Sequence, residues 1–150
     1  MVSRGLDRDR EYLNAILNAL FGFAKQQLDG QGEFYPFAAV ITANGELQMV
    51  ATQMDEERPA STAVIEDIYR VLVPKAESGA IRAAGVCMDV LMTPPGGRKT
   101  DALRADLEHV DDRVVTVFLP YRKKRLGGHE FGELHKEPFT PRLRFADPSS

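Results

Sequence analysis

The sequence predicts an α+β fold: two main helices packed on an antiparallel sheet of about five strands, in the order α-β-β-α-β-β-β. Three observations carry this. An apolar stripe at helical spacing runs from Leu13 to Leu28. Asn44-Gly45 lies between two apolar runs, the strongest short signal for a hairpin. After a second helical stretch, apolar segments alternate with turn residues and read as further strands.

The first helix rests on Leu13, Ile16, Leu17, Leu20, Phe21, Ala24 and Leu28. Asp7 or Asp9 is the expected cap, and Gly30 and Gly32 the stop. Its apolar face is wide, with Phe23 beside Phe21, so it needs a sheet or a partner chain to cover it. Tyr35 to Ile41 and Leu47 to Thr52 are the arms of the hairpin. Asn-Gly suits a type I′ turn, which needs positive φ at both central residues. Gln53 to Arg58 is a polar loop.

Pro59 to Ser78 reads as the second helix, with Val64, Ile65, Ile68, Leu72 and Ala76 on one face. Ser61 or Thr62 is its expected cap, and Gly79 its stop. Pro74 should kink it or end it early, because proline lacks the N–H and clashes with the preceding turn. Ile81 to Met92 has few polar residues and apolar ones on both faces, broken by Asp89, which marks a central strand covered on each side. Thr93 to Gly97 is a loop by composition. Asp101 to Val110 and Arg113 to Tyr121 form a second hairpin about Asp111-Asp112. Arg122 to Gly128 is a basic loop, and the tail from Phe131 has room for one short strand before Pro138, Pro141 and Pro148 discourage regular structure.

These elements make a single domain over 1–150, with a core from about 6 to 137 and an irregular tail over 138–150. The element order resembles the profilin-like group, including roadblock-type domains. The stretches FYPFAAVITANGE (Phe34 to Glu46), RAAGVCMDVLMTPPG (Arg82 to Gly96) and VFLPYRKKRLGG (Val117 to Gly128) are similar to an uncharacterised family of small bacterial proteins. The resemblance implies a fold and no activity.

Composition narrows the function classes. The chain has 150 residues, 43% hydrophobic and 27% charged, an ordinary globular balance. A net charge of −3 gives no long-range attraction to nucleic acid or anionic lipid. Cys87 stands alone, so no internal disulfide forms, which suits a reducing compartment. The charged N-terminus does not read as a secretory signal, and no apolar run approaches the roughly 20 residues that span a bilayer. The cytoplasm is the simplest expectation.

Five patterns offer chemistry. His129, Glu133 and His135 share a face if the segment is a strand, and His109 could join them in a zinc site. The two histidines lie six apart, not the four of the helical zinc motif. Cys87 sits in an apolar strand, where a thiol acts as a small core hydrophobe. Asp106, Glu108 and Arg104 share one strand face, where acid–base pairs with Arg82 or Arg113 would be ordinary surface stabilisation. Asp89, a carboxylate in a central strand, must be paired, exposed at a sheet end, or protonated. Gly96 to Thr100 lacks the full phosphate-loop pattern. Arg122, Lys123, Lys124 and Arg125 form a basic run that either anchors an acidic partner or anion, or guards a strand end.

No catalytic constellation emerges, and no cofactor is implied beyond the zinc alternative. The expectation is a non-enzymatic interaction or regulatory module acting as a homodimer, either a roadblock-type scaffold or an inhibitor that masks a basic enzyme. The alternative is a small-ligand- or metal-binding protein, an enzyme among the options, with its site near the 94–100 loop and the 129–135 segment.

Overall fold

A computed structural model describes residues 2–50, 60–111 and 113–146. Helix α1 (Val2–Gln31) is followed by strands β1 (Phe37–Thr42) and β2 (Leu47–Val50). Helix α2 (Ser61–Glu77) then leads into β3 (Ile81–Met92), β4 (Thr100–His109) and β5 (Val114–Lys123). Two short strands close the sheet, β6 (His129–Phe131) and β7 (His135–Glu137). The α-β-β-α-β-β-β order holds, and the sheet has seven strands, more than the five expected. The additional strands are three residues each, too short to show a period of two.

The strands run β2-β1-β3-β4-β5-β6, with β7 also on β5, and every pairing is antiparallel. β3 lies inside the sheet between β1 and β4, as its two apolar faces require. One face packs against α1: Ile16, Leu20, Ala24 and Leu28 meet Phe37, Ala39, Ile41, Ala83, Cys87 and Leu107. Gly85 lets the helix come down onto the sheet. A β-carbon there would stand 2.6 Å from Ile16 Cγ2 and 2.7 Å from Leu107 Cδ2. The other face packs against α2 through Val64, Ile68, Tyr69, Leu72 and Ala76.

Several local expectations are corrected. α1 runs straight through Asp7 and Asp9, so neither is its cap. It ends where expected, at Gly32, whose φ is 78° and whose N–H donates to the Leu28 carbonyl. The N-cap of α2 is Ala60, and no side chain caps it. Pro74 does not end α2 early; it sits in the last turn, and the helix continues to Glu77. Gly79 then closes a Schellman motif, with Gly79 N–H donating to Ala76 and Ala80 N–H to Lys75.

The first hairpin is present, with a different turn. Gly45 N–H donates to the Thr42 carbonyl, and Thr42 N–H to the Glu46 carbonyl. Ala43 and Asn44 are therefore the central pair, and Gly45 (φ 85°) takes the left-handed position of a bulge after them. The arm expected over Leu47 to Thr52 is a strand to Val50; Ala51, Thr52 and the Gln53–Arg58 loop lie outside the described residues, as does Asp112 of the second turn.

The tail from 138 to 146 has no helix or strand, yet it belongs to the core. Leu143 is buried in the α2-side cluster with Phe145 against it, and Ala146 N–H donates to the Ala76 carbonyl. The core thus reaches beyond the boundary expected near 137. No helix among the described residues is long and apolar enough to cross a membrane.

Candidate functional site

α2 covers β1 and β3 but leaves β4 to the tail. Between helix and tail, on this face, lies a cleft of about 570 Å³. Its floor comes from the period-two pattern of β4, which points Arg104, Asp106 and Glu108 to the same side. Cross-strand register then sets Met88 and Phe118 beside Arg104, and Val86 and Thr116 beside Asp106.

Asp106 is 5% exposed. Its Oδ1 accepts from Thr116 Oγ1 at 2.6 Å and from Arg104 Nε at 2.9 Å. Glu108 is 2% exposed and holds the tail. Its Oε1 accepts the backbone N–H groups of Arg142 (3.0 Å) and Leu143 (3.1 Å). Burial pushes the Glu108 carboxyl above the usual carboxylate range, against the pull of those two bonds. Arg142 reaches back over the cleft. Its guanidinium stacks 3.7 Å from the Tyr69 ring centroid and donates to Glu66 Oε1 at 2.9 Å. The Tyr69 phenol is pushed up, first by burial and then by Asp106 and Glu108.

The shared face of Arg104, Asp106 and Glu108 was readable in the sequence, but the two acids are buried, Glu108 bonded to the tail and Asp106 to Thr116 and Arg104, and not paired on the surface with Arg82 or Arg113. Arg113 instead joins Asp111 at 3.0 Å. Arg142 was missed because its segment read as irregular; the alternation Arg142-Leu143-Arg144-Phe145 is the signal that could have found it.

The residues of the metal expectation are placed apart. His129 pairs with Lys123 on β5, and His135 with Phe118. Those partners point to opposite faces of the strand, so the histidines do as well. His129 Nδ1 lies 2.9 Å from Asp29 Oδ1 at the end of α1. His109 is buried at the far end of β4, stacked on Tyr12, with Nδ1 2.8 Å from Asp111 Oδ1. Glu133 is exposed in the link between β6 and β7. Among the described residues, no group of three or more His, Cys, Asp or Glu side chains is placed to hold a metal ion.

The 94–100 loop is a turn in which Gly97 N–H donates to the Pro94 carbonyl and Gly96 has a φ of 71°. Its end, Thr100, meets Tyr121 and borders a hollow of about 270 Å³ shared with Glu130 and Phe131. His109 stands at the other end of β4, roughly 30 Å away at about 3.4 Å per residue. The basic run spans the end of β5, where Arg122 and Lys123 pair with β6, and the start of the β5–β6 turn at Lys124 and Arg125. Arg122 is bridged to Glu130 at 2.8 Å, while Lys123, Lys124 and Arg125 are exposed. Cys87 is fully buried in the α1-side core, and burial, then Asp89 and Asp106, push its thiol up, away from the reactive thiolate.

No protein-family model matches the chain, and neither a curated protein nor a solved structure matches it significantly.

Proposed function

We propose that this protein is an interaction module that pairs with a second copy of itself through the outer edge of β2, which no strand among the described residues covers. The inequality of the two sheet edges is the observation that carries this reading. The far edge is blunted: β6 and β7 are three residues each, interrupted, and carry Glu130, Lys136 and Glu137. β2 is the opposite edge strand and carries no charge, and Leu47 and Met49 are 43% and 47% exposed. Such an edge is a template for strand addition.

The register favours a symmetric pair. Thr42 N–H bonds the Glu46 carbonyl, and Thr42 pairs onward as Ile41↔Leu47 and Val40↔Gln48. Antiparallel alternation then turns the backbone groups of Gln48 and Val50 toward β1, and those of Leu47 and Met49 outward. A two-fold axis at Gln48 sets Leu47 of one copy opposite Met49 of the other, twice, with four backbone hydrogen bonds and one apolar cluster on the α1 side. The exposed cations of the β5–β6 tip, Lys123, Lys124 and Arg125, offer a separate contact for an acidic protein partner.

Light scattering coupled to size exclusion tests the pairing. The wild-type chain should elute as a dimer at about 100 µM, a range where even modest interfaces are populated. Leu47→Lys with Met49→Lys should give a folded monomer. A wild-type monomer at that concentration, or a double variant that dimerises equally well, sinks the reading.

A further inference from the structure

We propose that the cleft between α2, β4 and the 138–142 segment binds a small zwitterion, a free α-amino acid with an apolar side chain. The charges at the cleft decide the ligand class. Arg104 and Arg142 are positive, and each already has one carboxylate partner, Asp106 and Glu66. With each guanidinium already facing a carboxylate, neither a net anion nor a net cation finds a surplus of the opposite charge. A zwitterion satisfies both signs at once.

The bonding capacity left over has the same shape. Arg104 uses its Nε on Asp106, and Arg142 uses Nη2 on Glu66, so both forks keep N–H groups for a ligand carboxylate. Among the described residues, both hydrogen bonds to the Asp106 carboxylate fall on Oδ1. The second oxygen of a carboxylate that is 5% exposed, in a residue lining the cleft, is left to accept from an ammonium. Ile65, Met88 and Phe139 supply an apolar wall for a side chain. The volume, about 570 Å³, falls within the usual range for small-molecule sites.

The polar groups are also fixed before any ligand arrives. Thr116 orients Asp106, the Tyr69 ring and Glu66 orient the Arg142 guanidinium, and Glu108 anchors the Arg142 backbone. Groups held in this way lose little entropy on binding.

Calorimetric titration of the full chain tests this with L-leucine, L-methionine and L-phenylalanine as probes. Two leucine analogues serve as controls: 4-methylpentanoate, which lacks the ammonium, and 3-methylbutylamine, which lacks the carboxylate. At least one amino acid should bind saturably, and each matching one-charge analogue about tenfold more weakly or worse. Arg104→Gln and Asp106→Asn should each weaken binding by a similar factor, and Asn keeps the acceptor for Thr116 so that the fold is retained. Arg142→Gln serves as a second arginine variant if Arg104→Gln fails to fold. Absence of saturable binding by all three amino acids at concentrations on the order of 10 mM overturns the proposal. So does an analogue that binds as tightly as its parent, which would make the cleft a simple carboxylate or amine site.

Discussion

Tyr121 on β5 reaches across β4 to Asp89 on β3, and its hydroxyl donates to Asp89 Oδ1 at 2.7 Å. The carboxylate in the central strand is thus paired at the point where β3 emerges from under α1. The bond does not fully replace water. Loss of hydration raises the Asp89 carboxyl above its ordinary value, the Tyr121 bond lowers it, and Asp101 raises it further. The residue as a whole is exposed, so solvent screens part of the effect.

The sign of the pH effect follows. A carboxyl that holds its proton more tightly when folded favours the native state at low pH. That contribution is full below the unfolded value, near pH 4, and is lost as pH rises through the raised folded value. Asp89→Asn, which keeps the acceptor for Tyr121, should therefore be more stable than wild type at pH 7 and equal to it at about pH 3. Urea melts at both pH values check this; a variant less stable at pH 7 contradicts it.

Tyr121→Phe removes the hydroxyl that donates to that carboxyl. The Asp89 value should then rise further, since the bond is the force holding it down. Carbon-13 titration of the aspartate carboxyls reads it directly. No movement would mean that water takes the place of the phenol.

Gly85 sits where α1 presses on the sheet. Gly85→Ala should cost about 1–3 kcal/mol, because the added methyl meets Ile16, Leu107 and Leu20 and the helix must lift. Denaturant melts measure the loss. An unchanged midpoint would show that the side chains can give way without cost.

Glu108 ties the tail to the sheet. Glu108→Ala leaves the buried Leu143 N–H and the half-buried Arg142 N–H without their acceptor and should cost about 1–3 kcal/mol. Amide exchange should speed up selectively at Arg142 and Leu143. Glu108→Gln keeps the acceptor oxygen and removes a desolvated charge, so it should hold the tail at pH 7 at least as well as wild type. Uniform protection in the alanine variant would dissociate the tail from Glu108.

Leu143 brings the tail into the core at 6% exposure. Leu143→Ala should cost about 2–5 kcal/mol, the usual range for a buried leucine. A cost near zero would mean that the tail merely lies on the surface.

Much of the fold was legible from local pattern. The stripe from Leu13 to Leu28, the Asn44-Gly45 hairpin, the two-faced run of β3 and the stop at Gly79 all depend on neighbours within a few residues. The site was half legible. Spacing alone put Arg104, Asp106 and Glu108 on one face, because side chains alternate along a strand whatever it pairs with. It did not show what covers that face. The metal expectation used the same alternation over 129–135, but the chain divides there into two strands about Gly132, and one histidine ends on each side of the sheet.

By itself, the sequence determined the helices, the main strands, their order and which residues of a main strand share a face. These follow from backbone sterics and from local periodicity in apolar residues. Tertiary structure alone decided that the edges are unequal, that Tyr121 meets Asp89 and that Arg142 closes a cleft over Asp106. The last two join residues more than thirty positions apart in the chain. No local preference encodes such a meeting. It is set when the whole chain buries its apolar surface at once and every buried polar group must find its partner.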